Sequence, residues 1–167
     1  MDFLKLKDKK FLITGVANKK SVAFHVAKIL IESGAQVLFS VQNDANFKKV
    51  EALFPESEIY KCDVEDEEDL RRLSEQLGEK KISGLLHSIA FANYSEGIKP
   101  FHETNLKDYL QATNISCFSL VSLANILRKH MSEDASVVTI SISNTKATSY
   151  GYMGPFKAAL DATVPFL

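Results

Sequence analysis

The chain has 167 residues, 46% hydrophobic and 25% charged, with a formal net charge of −1. That length suits one domain, residues 1–167, with a substantial core, and the balanced charge without a basic aromatic patch excludes an electrostatic footprint for nucleic acid. Cys62 and Cys117 lack a C-x-x-C partner, which points to a reduced, cytoplasmic setting, and the histidines at 25, 87, 102 and 130 lack metal-ligand spacing, so no metal is expected.

The N-terminus, Met1-Asp-Phe-Leu-Lys-Leu-Lys7, is charged too early and too evenly for a signal peptide. Apolar β-rich runs then alternate with helix-length segments. Strands are predicted at Lys10–Thr14, Gln36–Val41, Ile59–Cys62, Gly84–Ser88 and Ser136–Ile142. Helices are predicted near 21–33, 45–53, 66–77 and 105–130, with a last one after Pro155. In the first of these, Val22, Val26, Ile29 and Leu30 share a face. The acidic run Glu65–Asp69 falls where the third helix begins, where it complements the helix dipole. The most apolar helical stretch, Ile115–Leu127, is too short to span a bilayer and reads as a buried helix; no membrane span is expected. Alternation of this kind implies parallel βαβ units with right-handed crossovers. The expected fold is α/β, a doubly wound Rossmann-type sheet ordered 3-2-1-4-5.

In such a sheet, ligands bind beyond the carboxyl ends of the strands. The first strand ends in Thr14-Gly15, and Ser21 opens a helix six residues later. Strand, glycine turn and helix start present backbone N–H groups to a pyrophosphate, although only one glycine of the usual G-x-G-x-x-G is present. The second strand ends in Ser40-Val-Gln42. A neutral Gln42 with no arginine close behind favours NAD over NADP, while Lys48 and Lys49 lie near in sequence. The third ends in Asp63-Val64, where the carboxylate can accept from an adenine amino group and the Val64 N–H can donate to the ring; the alternative role for Asp63 is a helix N-cap. The fourth runs into Ser88-Ile89-Ala90-Phe91-Ala92, whose small residues admit a flat cofactor. Four strand ends thus accept one dinucleotide.

Beyond the fifth strand comes Tyr150-Gly-Tyr-Met-Gly-Pro-Phe-Lys157. Seven residues are about two helical turns, so Tyr150 and Lys157 share a face while Tyr152 points away. Pro155, comfortable only in a first turn, makes that facing approximate. An ammonium beside a phenol favours the ionised form, so the pair can stabilise an oxyanion.

The combination of Gly15-x5-Ser21, Gln42-Asn-Asp, Asp63-Val64, His87-Ser-Ile-Ala-Phe-Ala92, Asn114-Ile-Ser116 and Tyr150-x6-Lys157 resembles the NADH-dependent enoyl-[acyl-carrier-protein] reductases. These are divergent short-chain dehydrogenase/reductases, and the resemblance runs from about Leu4 to the last residue. It implies reduction of trans-2-enoyl thioesters on acyl carrier protein by NADH in fatty-acid elongation. Tyr150 and Lys157 become the catalytic pair, with Lys157 on the nicotinamide ribose. Gly15, Ser21, Val22, Gln42, Asp63, Val64, Ser88, Ile89 and Ala90 become cofactor contacts, and Ala92 a substrate contact. A homo-oligomer, tetrameric in the family, is implied as well. A carbonyl-reducing member of the superfamily and a non-catalytic NAD-binding homologue are the alternatives.

Two departures stand out. The family carries a second active-site tyrosine directly after the serine that ends the fifth strand; here Ile142 follows Ser141, and the loop to Tyr150 is about two residues short. The family also continues past the lysine-bearing helix into further strands and a substrate lid. The chain is therefore expected to be a piece of a longer protein.

Overall fold

The computed structural model describes residues 4–142 and 151–167. Five strands form one sheet: β1 (Lys10–Thr14), β2 (Gln36–Val41), β3 (Glu58–Lys61), β4 (Ile82–His87) and β5 (Met131–Thr139). Their order is β3-β2-β1-β4-β5, and every neighbouring pair is parallel, as the alternation of elements predicts. Parallel neighbours need long crossovers, and helices α1 (Val22–Glu32), α2 (Asp44–Leu53) and α3 (Glu67–Leu77) supply the first three. The last crossover holds α4 (Leu106–Thr113) and α5 (Ser119–Leu127), and α6 (Met153–Thr163) follows the sheet. The chain winds outward from β1 to β3, then returns to the other side of β1 for β4. A crevice therefore opens at the carboxyl ends of β1 and β4.

Side-chain alternation along the strands builds two cores. Leu12, Leu38 and Leu85 pack with Leu70, Leu73 and Leu77 of α3 and Leu123 and Leu127 of α5. Ile13, Phe39 and Leu86 face the other way, onto Ala23 and Ala27 of α1 and Val50 of α2. Burial on both faces is why these strands read as unbroken apolar runs. A third cluster joins Ala112, Cys117 and Leu120 to Tyr152, Phe156 and Leu160 of α6. Val137 and Val138 of β5, the sheet's edge among the described residues, are exposed.

Several boundaries and faces differ from expectation. On α1 the buried residues are Ala23 and Ala27, whereas Val22 and Ile29 stand in solvent. Alanines let the helix backbone lie close on the sheet, and that close approach outweighs the larger side chains. Strand β5 starts five residues early because Ser132 donates to the Ile82 carbonyl and Asp134 pairs with Lys9. Polar residues there disguise a strand start. Helix α6 starts at Met153 rather than after Pro155. The first-turn N–H groups have no intrahelical acceptor, so a proline at the third position loses nothing. The cap of α3 is Asp66, which accepts from the Glu68 N–H; Asp63 is not the cap.

The predicted helix 105–130 is interrupted. A π-helical turn, Asn114–Phe118, separates α4 from α5, and a 3₁₀ turn, Arg128–His130, ends the run. As one continuous helical stretch, Leu106–His130 is long and apolar enough, by length and composition alone, to cross a membrane. Length therefore does not exclude a span, contrary to expectation. Packing decides the matter: Leu120, Leu123 and Leu127 are buried in the cores just described.

Candidate active site

At the crevice lies a cavity of about 220 Å³. Its walls come from the ends of four strands: Thr14, Gly15 and Val16 after β1, Val41 and Gln42 after β2, Cys62, Asp63 and Val64 after β3, and Ser88 to Phe91 after β4. Seven of the predicted cofactor contacts are therefore together: Gly15, Gln42, Asp63, Val64, Ser88, Ile89 and Ala90.

Gly15 has φ +77°, and a Cβ added there would stand 1.8 Å from the Ser88 carbonyl oxygen. Only glycine allows the turn after β1 to cross so close to the end of β4. Thr14 fastens the same crossing: its hydroxyl donates to the Leu86 carbonyl at 3.0 Å and accepts from the Ser88 N–H at 3.1 Å. The turn then folds on itself, with the Ser21 N–H and hydroxyl both donating to the Asn18 carbonyl. Spent on Asn18, the Ser21 side chain does not cap α1. The helix thus begins with N–H groups that no described side chain occupies, the arrangement that receives a phosphate.

The walls at the ends of β2 and β3 are neutral to acidic. Gln42 donates through Nε2 to Asp63 at 3.0 Å, joining the ends of β2 and β3. Asp63 also accepts from the Glu65 N–H, and its own N–H donates to Asp69. Among the described residues no lysine or arginine lines the cavity, and Lys48 and Lys49 are not among its walls. Cys62 lines it as a neutral thiol: burial, with nearby Asp69 and Asp63 adding to it, pushes its pKa up to about 12.

Lys157 is 1% exposed. Its ammonium donates to the Ile89 carbonyl at 2.9 Å and the Ile140 carbonyl at 3.0 Å, tying together the chain beyond β4 and β5. Two of the three ammonium donors are thereby occupied. Burial lowers its pKa to about 8.

Beneath it, His87 is wholly buried between Thr139 and Ser119, each 2.8 Å from a ring nitrogen. Ser119 spends its hydroxyl proton on the Ile115 carbonyl at 2.6 Å, so it accepts from His87 Nε2. With the ring neutral, Nδ1 accepts from the Thr139 hydroxyl at 2.8 Å, a shorter alternative to that hydroxyl's 3.3 Å approach to the His87 carbonyl. Burial, reinforced by the positive charge of Lys157, lowers its pKa to about 4. Ser116, also fully buried, accepts from the Phe91 N–H and donates to the Phe91 carbonyl. The π-helical turn places both serines, and such turns recur at functional sites.

The remaining predicted residues lie elsewhere. Ser21 and Val22 stand at the start of α1 and do not line the cavity. Ala92 packs against the third cluster. Tyr150 lies outside the described residues. Because α6 begins at Met153, regular helix does not connect it to Lys157, and the two-turn facing argument fails. Tyr152 does avoid the cavity: it is buried among Tyr94, Tyr109 and Phe156. Sequence reasoning missed Thr14 and the paired roles of His87 and Ser119. Their available signal was a polar residue closing an otherwise apolar strand.

Residues 15–167 match the family model described as enoyl-(acyl carrier protein) reductase. The chain is 36% identical to the enoyl-[acyl-carrier-protein] reductase [NADPH] FabI of Staphylococcus aureus, covering 98% of this chain and 68% of that one. Identity to the [NADH] enzyme of Bacillus subtilis is 34%, over 97% of this chain and 66% of that one. Among solved structures, the Bacillus cereus enoyl-acyl carrier protein reductase, crystallised with NADP+ and an indole naphthyridinone, superposes with a TM-score of 0.90 at 32% identity. That match covers 96% of this chain and 66% of the other. The chain thus spans about two thirds of the length of the relatives it matches.

Proposed function

Because this chain belongs to the enoyl-(acyl carrier protein) reductase family, we propose that it reduces the C2–C3 double bond of trans-2-enoyl thioesters on acyl carrier protein. The observation that carries this reading is the cavity at the sheet's switch point, with a glycine cradle at one side and a buried lysine beneath the other. NADH fits that cavity: the Gly15 turn and the uncapped α1 take the pyrophosphate, Gln42 and Asp63 the adenosine, and Lys157 the nicotinamide ribose. Ser21, Val22, Val64, Ser88, Ile89 and Ala90 complete the contacts. Bound there, NADH supplies a hydride to the β-carbon of the substrate.

The protein's part is charge and position. Hydride addition makes the thioester an enolate, and the Tyr150 phenol donates a hydrogen bond to its oxygen. Lys157 holds positive charge nearby and keeps the ends of β4 and β5 in place. The Phe91 backbone, pinned by Ser116, carries Ala92 to the acyl thioester. The α-carbon then takes a proton from solvent.

Relatives divide between NADH and NADPH. The choice of NADH rests on Gln42 bonded to Asp63 and on a cavity wall that, among the described residues, carries no lysine or arginine. A 2′-phosphate would face a carboxylate. We place the protein in the cytoplasm as a homo-oligomer on the family resemblance and the reduced cysteines. The test is NADH oxidation with crotonyl thioester by full-length protein. Turnover of ketones but not of the enoyl thioester would assign a carbonyl reductase, and NADH binding without hydride transfer a non-catalytic homologue. Tyr150→Phe should lower turnover far more than NADH affinity, because its hydrogen bond strengthens as charge develops.

A further inference from the structure

One aromatic contact outside the cavity joins the substrate side of the site to the helix that bears Lys157. After Ala92 the chain crosses in an irregular strap, residues 93–105, with a turn closed by the Gly97 N–H on the Tyr94 carbonyl and a 3₁₀ turn at Phe101–Glu103, before α4 begins. The strap is fixed to α4 at its near end: Asp108, 5% exposed, accepts from both the N–H and the hydroxyl of Ser95 at 2.7 and 2.8 Å. It is fixed again at its far end, where Asn105 caps α4 and donates to Glu96. Between Ala92 and Ser95 stands Tyr94. Its ring meets that of Tyr152 at 4.8 Å between centroids. A Cβ added at Gly151, whose φ is +59°, would lie 2.7 Å from the Tyr94 hydroxyl. Tyr94 is therefore pressed onto the two residues that precede α6.

The Tyr152 phenol makes no hydrogen bond among the described residues although it is buried. A buried, unpartnered hydroxyl weakens a fold, so the hydroxyl is not what the position is for. The ring is. Tyr109 packs it edge-on from α4 and Phe156 at a tilt from α6, and Tyr94 meets it at a tilt from the strap.

We infer that Tyr152 is a positioning residue for the substrate: its ring is the platform that holds Tyr94, and through Tyr94 sets where Ala92 lies relative to Lys157. This rests on the reading of Ala92 as a thioester contact. It requires that loss of the platform loosen the strap and weaken the enoyl thioester while leaving the cofactor cavity, built from other residues, as it is.

The experiment pairs hydrogen exchange with steady-state kinetics on full-length protein. Tyr152→Leu and Tyr94→Ala approach the contact from its two sides, and Tyr152→Phe keeps the ring. Amide exchange over residues 92–96 should rise in the first two variants and return to the wild-type rate in Tyr152→Phe. KM for crotonyl thioester should rise about tenfold in Tyr152→Leu and Tyr94→Ala at unchanged NADH Kd, and Tyr152→Phe should restore it. The double variant should be no worse than either single one, because both remove the same contact. Unchanged exchange over 92–96, or equal losses of thioester and NADH binding, would overturn the inference. If wild-type protein failed to turn over the enoyl thioester, the proposed function would fall, and exchange would still decide the contact.

Discussion

His87 gives the structure its most direct thermodynamic test. The ring is fully buried, both nitrogens are occupied, and the ammonium of Lys157 stands near, so the folded protein binds a proton there only at about pH 4. In the unfolded chain the same imidazole protonates near its ordinary value of 6.5. Between those two values the unfolded state holds more protons, so stability falls as pH falls. From about pH 7.5 down to about pH 5, linkage gives a loss of about 2 kcal/mol from this group alone. Urea unfolding at the two pH values measures the total, which includes the carboxylates. Repeating it with His87→Gln, whose amide can donate and accept in the same place, isolates the histidine as the difference in slope. The His87 ring resonance followed by NMR reports the site directly. A midpoint near 6.5 in the folded protein, or an equal slope in His87→Gln, would refute the argument.

Other expectations follow from the same geometry. Gly15→Ala should destabilise by about 3 kcal/mol and abolish NADH binding, since its methyl meets a backbone carbonyl at positive φ; thermal melts and NADH fluorescence check both. NADH affinity should fall as pH rises through about 8, where Lys157 loses its charge, and Lys157→Met should flatten that profile in a titration series. Tyr152→Phe should raise stability by about 1 kcal/mol in chemical denaturation, because the hydroxyl it deletes has no partner. Cys62, 3% exposed and neutral, should react with iodoacetamide no faster in folded protein than the chain opens; rapid labelling at about pH 8 would contradict its burial.

The sheet was legible because its pattern is local. Apolar runs between helices fix the strands, and crossover length fixes parallel pairing, while the order came from the Rossmann-type reading. The four strand ends of the cavity were legible for the same reason: topology alone brings Gly15, Gln42, Asp63 and Ser88 together. What the sequence hid depends on close packing. The inward face of α1 is set by Ala23 and Ala27, because nearness to the sheet mattered more than side-chain size. The π-helical turn leaves no mark in hydropathy, and the contacts of Ser116 and of the adjoining Ser119 to Phe91 and His87 join residues distant in the chain. The seven-residue spacing of Tyr150 and Lys157 suggested a helical pair, yet α6 covers only its second half. Tyr152 lies off the cavity as expected, yet the helical spacing behind that expectation does not hold, since α6 begins after it, and its contact with Tyr94 left no local mark.

The two ends of the cavity differ in how much change each can absorb. At the crossing of β1 and β4, backbone lies against backbone, and even one methyl at Gly15 has nowhere to go. At the ends of β2 and β3, the contact between Gln42 and Asp63 is exposed and made by side-chain tips alone. On the proposed placement of the cofactor, substitutions at the end of β2 should shift the preference between nicotinamide cofactors while the strand crossing at β1 and β4 stays intact. The split between NADH- and NADPH-using relatives at similar identity is the outcome such a division of rigidity would produce.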